Sequence, residues 1–183
     1  MANYSIQDFR AEIAKKDFAR SHRYEVMFMP PSIVQTSADT FSKLTLFADD
    51  ALIPGTLLGT KPIRLNNMNY QRATAIDFNG DSISFGFLVD TTWSVKNIFT
   101  DWMEKIVDPT NREVAFAESY YSEIYVSALD NYDQTLMRWK LIDAFPRSVA
   151  PVQLSYGNTQ IIRLPITFTF RKWVLEFSGS DHD

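Results

Sequence analysis

Cysteine is absent from this chain, which excludes disulfides, thiolate metal sites and cysteine nucleophiles. Histidine is nearly absent: His182 lies in the terminal SGSDHD, and His22 stands between Arg20 and Arg23. Neither has the neighbours that catalysis or metal ligation requires, and no cofactor is implied. Glycine is scarce, and Gly80 and Gly86 lack the partner spacing and Lys-Ser/Thr ending of a phosphate-cradling loop. No Gly-x-Ser-x-Gly elbow or His-Glu-x-x-His helix occurs. Asp49-Asp50 is the one adjacent acid pair, and neighbours in a strand point to opposite faces, so it need not converge on a substrate. The chain offers nothing from which to build an enzyme. No apolar run approaches the ~18 residues of a membrane-crossing helix, and the opening MANYSIQDFRAEIAKKDF has no continuous apolar stretch, which argues against a secretory signal. A basic excess is also missing. The net charge is −4, which argues against a protein whose main task is gripping phosphates.

What is present suits a single folded β-rich domain spanning residues 1–183. The 183 residues are 45% hydrophobic and 14% aromatic, enough for one full core and too short for two comfortable ones. The clearest signal is LSYGNTQIIRLPITFTFRKWVLEF. In it Leu164, Ile166, Phe168 and Phe170 alternate with Pro165, Thr167, Thr169 and Arg171. Strict alternation predicts a half-buried strand over Ile161–Phe170. SISFGFLVD repeats the pattern: Ile83, Phe85, Phe87 and Val89 take one side, Ser82, Ser84, Gly86 and Leu88 the other. In both strands the far side is small and nearly uncharged.

Other elements are spread along the chain. Ser5 with Asp8 makes a capping pair ahead of Ile6, Phe9 and Ile13, predicting a short N-terminal helix over about residues 5–18. Strands are expected at Arg23–Met29 and Lys43–Phe47, with SIVQTSADTFSK as loop. Residues 49–75, rich in Pro, Gly and Asn, read as a long irregular excursion or an extended hairpin. Phe78-Asn79-Gly80-Asp81 is a turn signal. Thr91-Thr92 are expected to cap the main amphipathic helix. Its stripe is Val95, Ile98, Phe99, Trp102 and Ile106, with Phe99 and Trp102 as core anchors and Asp108-Pro109 as the stop. A hairpin is expected from Tyr121–Leu129 through Asp130–Asp133 to Thr135–Ile142. Pro146 and Pro151 then bracket a connection to a strand at Val152–Tyr156, and residues 178–183 form a frayed tail. The architecture predicted is a β-sandwich or barrel carrying one central and one N-terminal helix.

The order of these features resembles the tail-tube proteins of contractile-tailed bacteriophages, the T-even-like group above all, a fold group that includes the type VI secretion tube proteins. The resemblance runs from about Phe18 to Val174. It begins with Phe18-Ala19-Arg20, the strand Tyr24–Phe28, and the step Ala51-Leu52-Ile53-Pro54-Gly55 into the excursion. The Phe-Asn-Gly-Asp turn and SISFGFLVD strand come next, then Phe99-Thr100-Asp101-Trp102, Ala144-Phe145-Pro146 with Val149, and the closing strand ending at Trp173. No one motif is specific; their order and spacing carry the likeness. The longer PPSIVQTSADTFSK segment and the continuation past Trp173 depart from the simplest members.

The resemblance implies a six-fold ring in which each subunit gives strands to one continuous inner β-barrel, and stacked rings that form a tube. Its implied partners are further copies of itself as hexamer and stacked polymer, the tail sheath, the tape-measure protein and baseplate tube proteins. Double-stranded DNA passes through without specific binding, and no membrane is involved. The implied location is the virion tail, assembled in the host cytoplasm. On this reading Ser82, Ser84, Thr167 and Thr169 are candidates for the channel lining, and the residues 49–75 contact the next ring. A baseplate tube initiator or a secretion-system tube protein of the same fold is the alternative. A ligand-binding β-sandwich using its aromatic surface is the reading from another class.

Overall fold

The computed structural model describes residues 5–15, 18–34, 38–65, 68–77, 82–157 and 159–178. The two alternating segments form β5 (Ser82–Leu88) and β8 (Arg163–Thr169), which pair antiparallel. Burial alternates strictly along β5, and Phe85, Phe87, Leu164, Ile166 and Phe168 are fully enclosed. Around this pair the main sheet runs β1 (Tyr24–Phe28), β6 (Ser122–Leu129), β7 (Thr135–Val149), β8, β5, β2 (Ala48–Ala51). The last strand, β9 (Lys172–Ser178), pairs with β7. The mainly β expectation holds.

Strand β7 folds this sheet into two layers. Its first part, to Ala144, pairs with β6 and β9; its second part, Phe145–Val149, pairs with β8. Asp143 stands at the change with φ 57°, in the left-handed region, and a bulge lies just beyond, between Pro146 and Ser148. Both devices turn a strand sharply. The layers then face each other across an aromatic core. Phe28 of β1 lies 5.7 Å from Phe85, 5.6 Å from Phe87 and 5.7 Å from Phe168, ring centre to ring centre. These are the tilted and edge-on distances at which aromatic rings attract beyond simple area burial.

Helix α3 (Ser94–Ile106) presents Val95, Ile98, Phe99, Trp102 and Ile106 to that core. Phe99 sits 5.3 Å from Phe87 and 5.6 Å from Phe168. Its start differs from the expectation. Thr91-Thr92 do not cap it; Asp90 does, accepting the Ser94 amide at 2.8 Å and the hydroxyls of Ser94 and Thr92. A carboxylate reaches the first helical amide from four residues back because Trp93 turns the chain with φ 56°. The helix ends at Ile106, ahead of Asp108-Pro109.

Three further expectations are corrected. Lys43–Phe47 is not a strand; it belongs to helix α2 (Ala38–Phe47), so there are more helices than the two expected. Phe41 and Leu44, at helical spacing, are both buried, and packing against β1 overrides the β preference of the Thr and Phe residues there. Pro146 does not open a connection. It is a buried residue inside β7, placed at a bulge where a missing amide is tolerated. Val152–Tyr156 forms no strand and belongs to the irregular run between β7 and β8.

The excursion after β2 becomes a two-stranded antiparallel sheet of its own, β3 (Leu57–Leu65) and β4 (Met68–Asp77). Trp173 ties its base to the body by donating its indole N–H to the Gly55 carbonyl at 3.0 Å. At the N-terminus, α1 (Ile6–Lys15) opens with a reciprocal cap. Ser5 Oγ accepts the Asp8 amide at 3.2 Å and Asp8 accepts the Ser5 amide at 2.9 Å. The Phe78–Asp81 turn and His182 lie outside the described residues, as does the tail beyond Ser178.

Candidate functional site

The surface that stands out is the far side of β2, β5, β8 and the second part of β7. Residues paired across antiparallel strands share a face, so the register assembles it row by row. Ser82 stands opposite Thr169, which stands opposite Phe145. Ser84 stands opposite Thr167, which stands opposite Ser148. Asp50 stands opposite Gly86, which stands opposite Pro165. Ser82, Ser84, Thr167 and Thr169 are therefore gathered into one patch, half-buried by their neighbours, while Ser148 and Asp50 are exposed. Phe99 and Trp102 lie on the opposite side of the sheet, fully buried. Helix α3 packs on the phenylalanine face; on the hydroxyl face, Tyr120 and Tyr121 meet Phe145 at one end, 5.4 and 6.0 Å from its ring.

Asp50 and Ser148 belong to this face and are not legible in the sequence. Ser148 is hidden because Pro146 reads as a strand breaker. Asp50 is hidden because β2 has only four residues, too few to show a period. Gly86 lets β2 lie close: a Cβ there would stand 3.0 Å from the Asp50 Cβ, which would have to give by a few tenths of an ångström. Arg147, the extra residue of the β7 bulge, is exposed next to Ser148 and brings a cation to this side as well. Asp49 pairs with Arg163 at 2.8 Å and Asp143 with Arg171 at 2.7 Å. The two carboxylates of Asp49-Asp50 have separate environments and form no acid couple.

The outer face of the other layer differs in kind. Lys140 pairs with Glu123 at 2.9 Å and lies over the Tyr125 ring, whose hydroxyl donates to Glu123 at 2.8 Å. The ammonium hydrogen-bonded to Glu123 holds that carboxyl below its usual range, and the same bond raises Lys140. Burial, reinforced by the hydrogen bond to Glu123, pushes the Tyr125 phenol up. This is an ordinary charged protein surface. Among the described residues no group of three His, Asp or Glu could hold a metal, and no helix is long and apolar enough to cross a membrane.

Two packed sheets with an aromatic core and a broad hydroxyl-bearing wall define a structural β-protein. Residues 19–176 match the phage tail tube protein family, and the chain belongs to it. It is a structural protein of a tail tube and not an enzyme. The fold is shared with a chain of the anti-feeding prophage baseplate, at TM-score 0.65 and 13% identity over 90% of this chain and 99% of that one. It is shared likewise with a chain of the PVC extracellular contractile injection system sheath–tube complex in the extended state, at TM-score 0.62 and 14% identity over 95% and 99%. No curated protein matches the sequence.

Proposed function

We propose that the chain assembles as six-fold rings that stack into a tail tube, with the face of Ser82, Ser84, Ser148, Thr167 and Thr169 lining its channel. The observation that carries this reading is the hydroxyl wall itself, in which Ser82, Ser84, Thr167 and Thr169 stand in register and partly exposed beside the exposed Ser148. A second protein core would want larger apolar side chains there; water does not. Strand direction supports the ring. β2, β5, β8 and β7 alternate in direction, so a rotation about an axis along the wall sets β7 of one copy antiparallel beside β2 of the next. Closing the sheet this way removes its exposed edges.

Six copies of four strands make a barrel of about 24. At ~4.8 Å spacing and ~45° tilt it is roughly 50 Å across, and side chains leave a bore that passes a DNA duplex freely. Each ring would carry six Asp50 carboxylates against six Arg147 cations, so the wall has no basic excess with which to hold phosphates. DNA and the tape-measure protein are the contents of the channel on this reading. The tail sheath surrounds it, and baseplate tube proteins continue it. The shared fold with a sheath–tube chain agrees with that arrangement. The place of action is the virion tail, after assembly in the host cytoplasm. A baseplate initiator of the same fold is the alternative, and copy number in the intact particle separates the two.

Thr169→Lys tests the lining. It gives each ring six lysines that extend into water beside a duplex carrying one negative charge per ~1.7 Å. Electron microscopy is expected to show tubes that still form but retain DNA, most strongly at low salt. Insoluble monomer would refute the face assignment, since it would mean that Thr169 is buried at a protein contact.

A further inference from the structure

Strand β7 loses one neighbour partway along. The last pair it makes with β6 is Ala144 with Ser122. Beyond it, Phe145–Val149 has β8 on one side and, among the described residues, no strand on the other. What ends the ladder is the short helix α4 (Ala117–Tyr120). Continued one residue back, β6 would set Tyr121 opposite Phe145. Instead the Tyr121 amide turns and donates to the Ala117 carbonyl at 3.1 Å. The helix thus opens the edge of β7 from Phe145 onward.

Three aromatic side chains meet where the ladder stops. Phe145 lies 5.4 Å from Tyr120 with 79° between the planes, and 6.0 Å from Tyr121 at 34°. The two tyrosines lie 4.9 Å apart at 70°. All three are half-buried. Their platform is fixed independently of β7. The Ser119 carbonyl accepts the Ile33 amide and the Ser32 hydroxyl, each at 3.0 Å, and the Tyr120 carbonyl accepts the Trp102 indole N–H at 3.2 Å. These bonds end on backbone carbonyls, so they survive the loss of either tyrosine side chain. The opened part of β7 needs such a hold. Asp143, just before it, is in the left-handed region, and the bulge between Pro146 and Ser148 interrupts its pairing with β8. Phe145 stands between these two irregularities, gripped by aromatic contacts that attract beyond their area.

We propose that Tyr120 and Tyr121 are positioning residues for the tube. Their grip on Phe145 fixes the course of β7 after its bend and holds the open edge in line for closure of the barrel. A strand that slips by one residue turns every side chain to the other face, so an unheld edge would offer a mixture of registers. Ordering the edge during folding also removes that cost from assembly. The three side chains act within one subunit, and their effect on closure rests on the ring reading.

The test follows assembly by sedimentation over a range of protein concentration and by electron microscopy, with a urea midpoint for each protein. Tyr120→Leu/Tyr121→Leu keeps apolar bulk and removes the aromatic contacts. It is expected to fold, and to need about tenfold more protein than wild type before six-fold rings form. Tyr121→Leu alone should shift assembly in the same direction at less cost to folding. Tyr120→Phe/Tyr121→Phe keeps the aromatic contacts and should assemble like wild type. Ile98, buried on α3, supplies the control for stability. Ile98→Val and Ile98→Ala bracket the loss of midpoint and should assemble like wild type. Wild-type protein that forms no rings would overturn the ring reading itself. Wild-type rings with normal assembly of the leucine variants, with failure of the phenylalanine pair, or with equal failure of an Ile98 variant at matched stability would overturn the positioning role alone.

Discussion

Trp102 donates its indole N–H to the backbone carbonyl of Tyr120 at 3.2 Å, which joins the middle of α3 to the short helix α4 (Ala117–Tyr120). The same ring stacks 6.2 Å from Phe99 and meets Phe41 edge-on at 6.3 Å. One side chain thus holds two helices and the entry to β6. Trp102→Ala is expected to lower stability by about 3–5 kcal/mol, and Trp102→Phe by less, since it keeps most of the volume and loses the hydrogen bond. Urea denaturation midpoints check both. An unchanged midpoint for Trp102→Ala would mean that the stripe does not anchor the core.

Asp90 gives a pH dependence. Its hydrogen bond from Thr92 and those from Ser94 hold its carboxyl below the usual range against a smaller opposing effect of burial. A carboxyl lowered on folding contributes stability above its unfolded pKa, and the contribution is lost as pH falls through the folded value. Asp90→Asn should therefore be less stable than wild type at neutral pH, and the difference should shrink in acid. Thermal midpoints measured from neutral pH down into the acid range test this; a constant gap would assign the effect to something other than ionisation.

Gly86 sets a steric limit. Gly86→Val should force β2 outward, because the added carbons meet the Asp50 side chain, and should cost about 1–3 kcal/mol. Gly86→Ala should fall between wild type and valine. If valine is tolerated without loss by thermal denaturation, β2 is free to shift.

The hairpin should behave differently alone and in the polymer. Two-stranded sheets are marginal in water without a third layer, and among the described residues β3–β4 pairs with no further strand. Its amides are expected to exchange rapidly in the monomer and to gain protection in tubes. Equal hydrogen exchange in both forms would show that no neighbour covers it.

The strands with strict alternation are readable because one side of each faces phenylalanine and the other does not. Leu164, Ile166 and Phe168 declare their own burial. Helix α3 is readable for the same reason at helical spacing. Structure imposed from a distance escapes such reading. Helix α2 is built from Thr, Phe and Leu residues that read equally well as strand, and its buried contacts with β1 decide the matter. In sequence β7 stops at Ile142, because a proline marks an ending, whereas in the fold the bulge absorbs it. Asp90 as the cap is invisible because the left-handed turn at Trp93 has no sequence signature in a tryptophan. Of the hydroxyl face, the paired serines and threonines are legible, and the short strand carrying Asp50 is not.

Strand β7 has a mechanical meaning. It belongs to both layers and passes through Asp143 without a break, with Arg171 bound to that aspartate across the bend. A push on one layer reaches the other along covalent backbone, ahead of any rearrangement of side chains. Sliding the layers past one another would tear ladder hydrogen bonds on both sides of the bend, whereas opening them only flexes a single crease. The protein thus resists shear and yields along one line, like a folded plate.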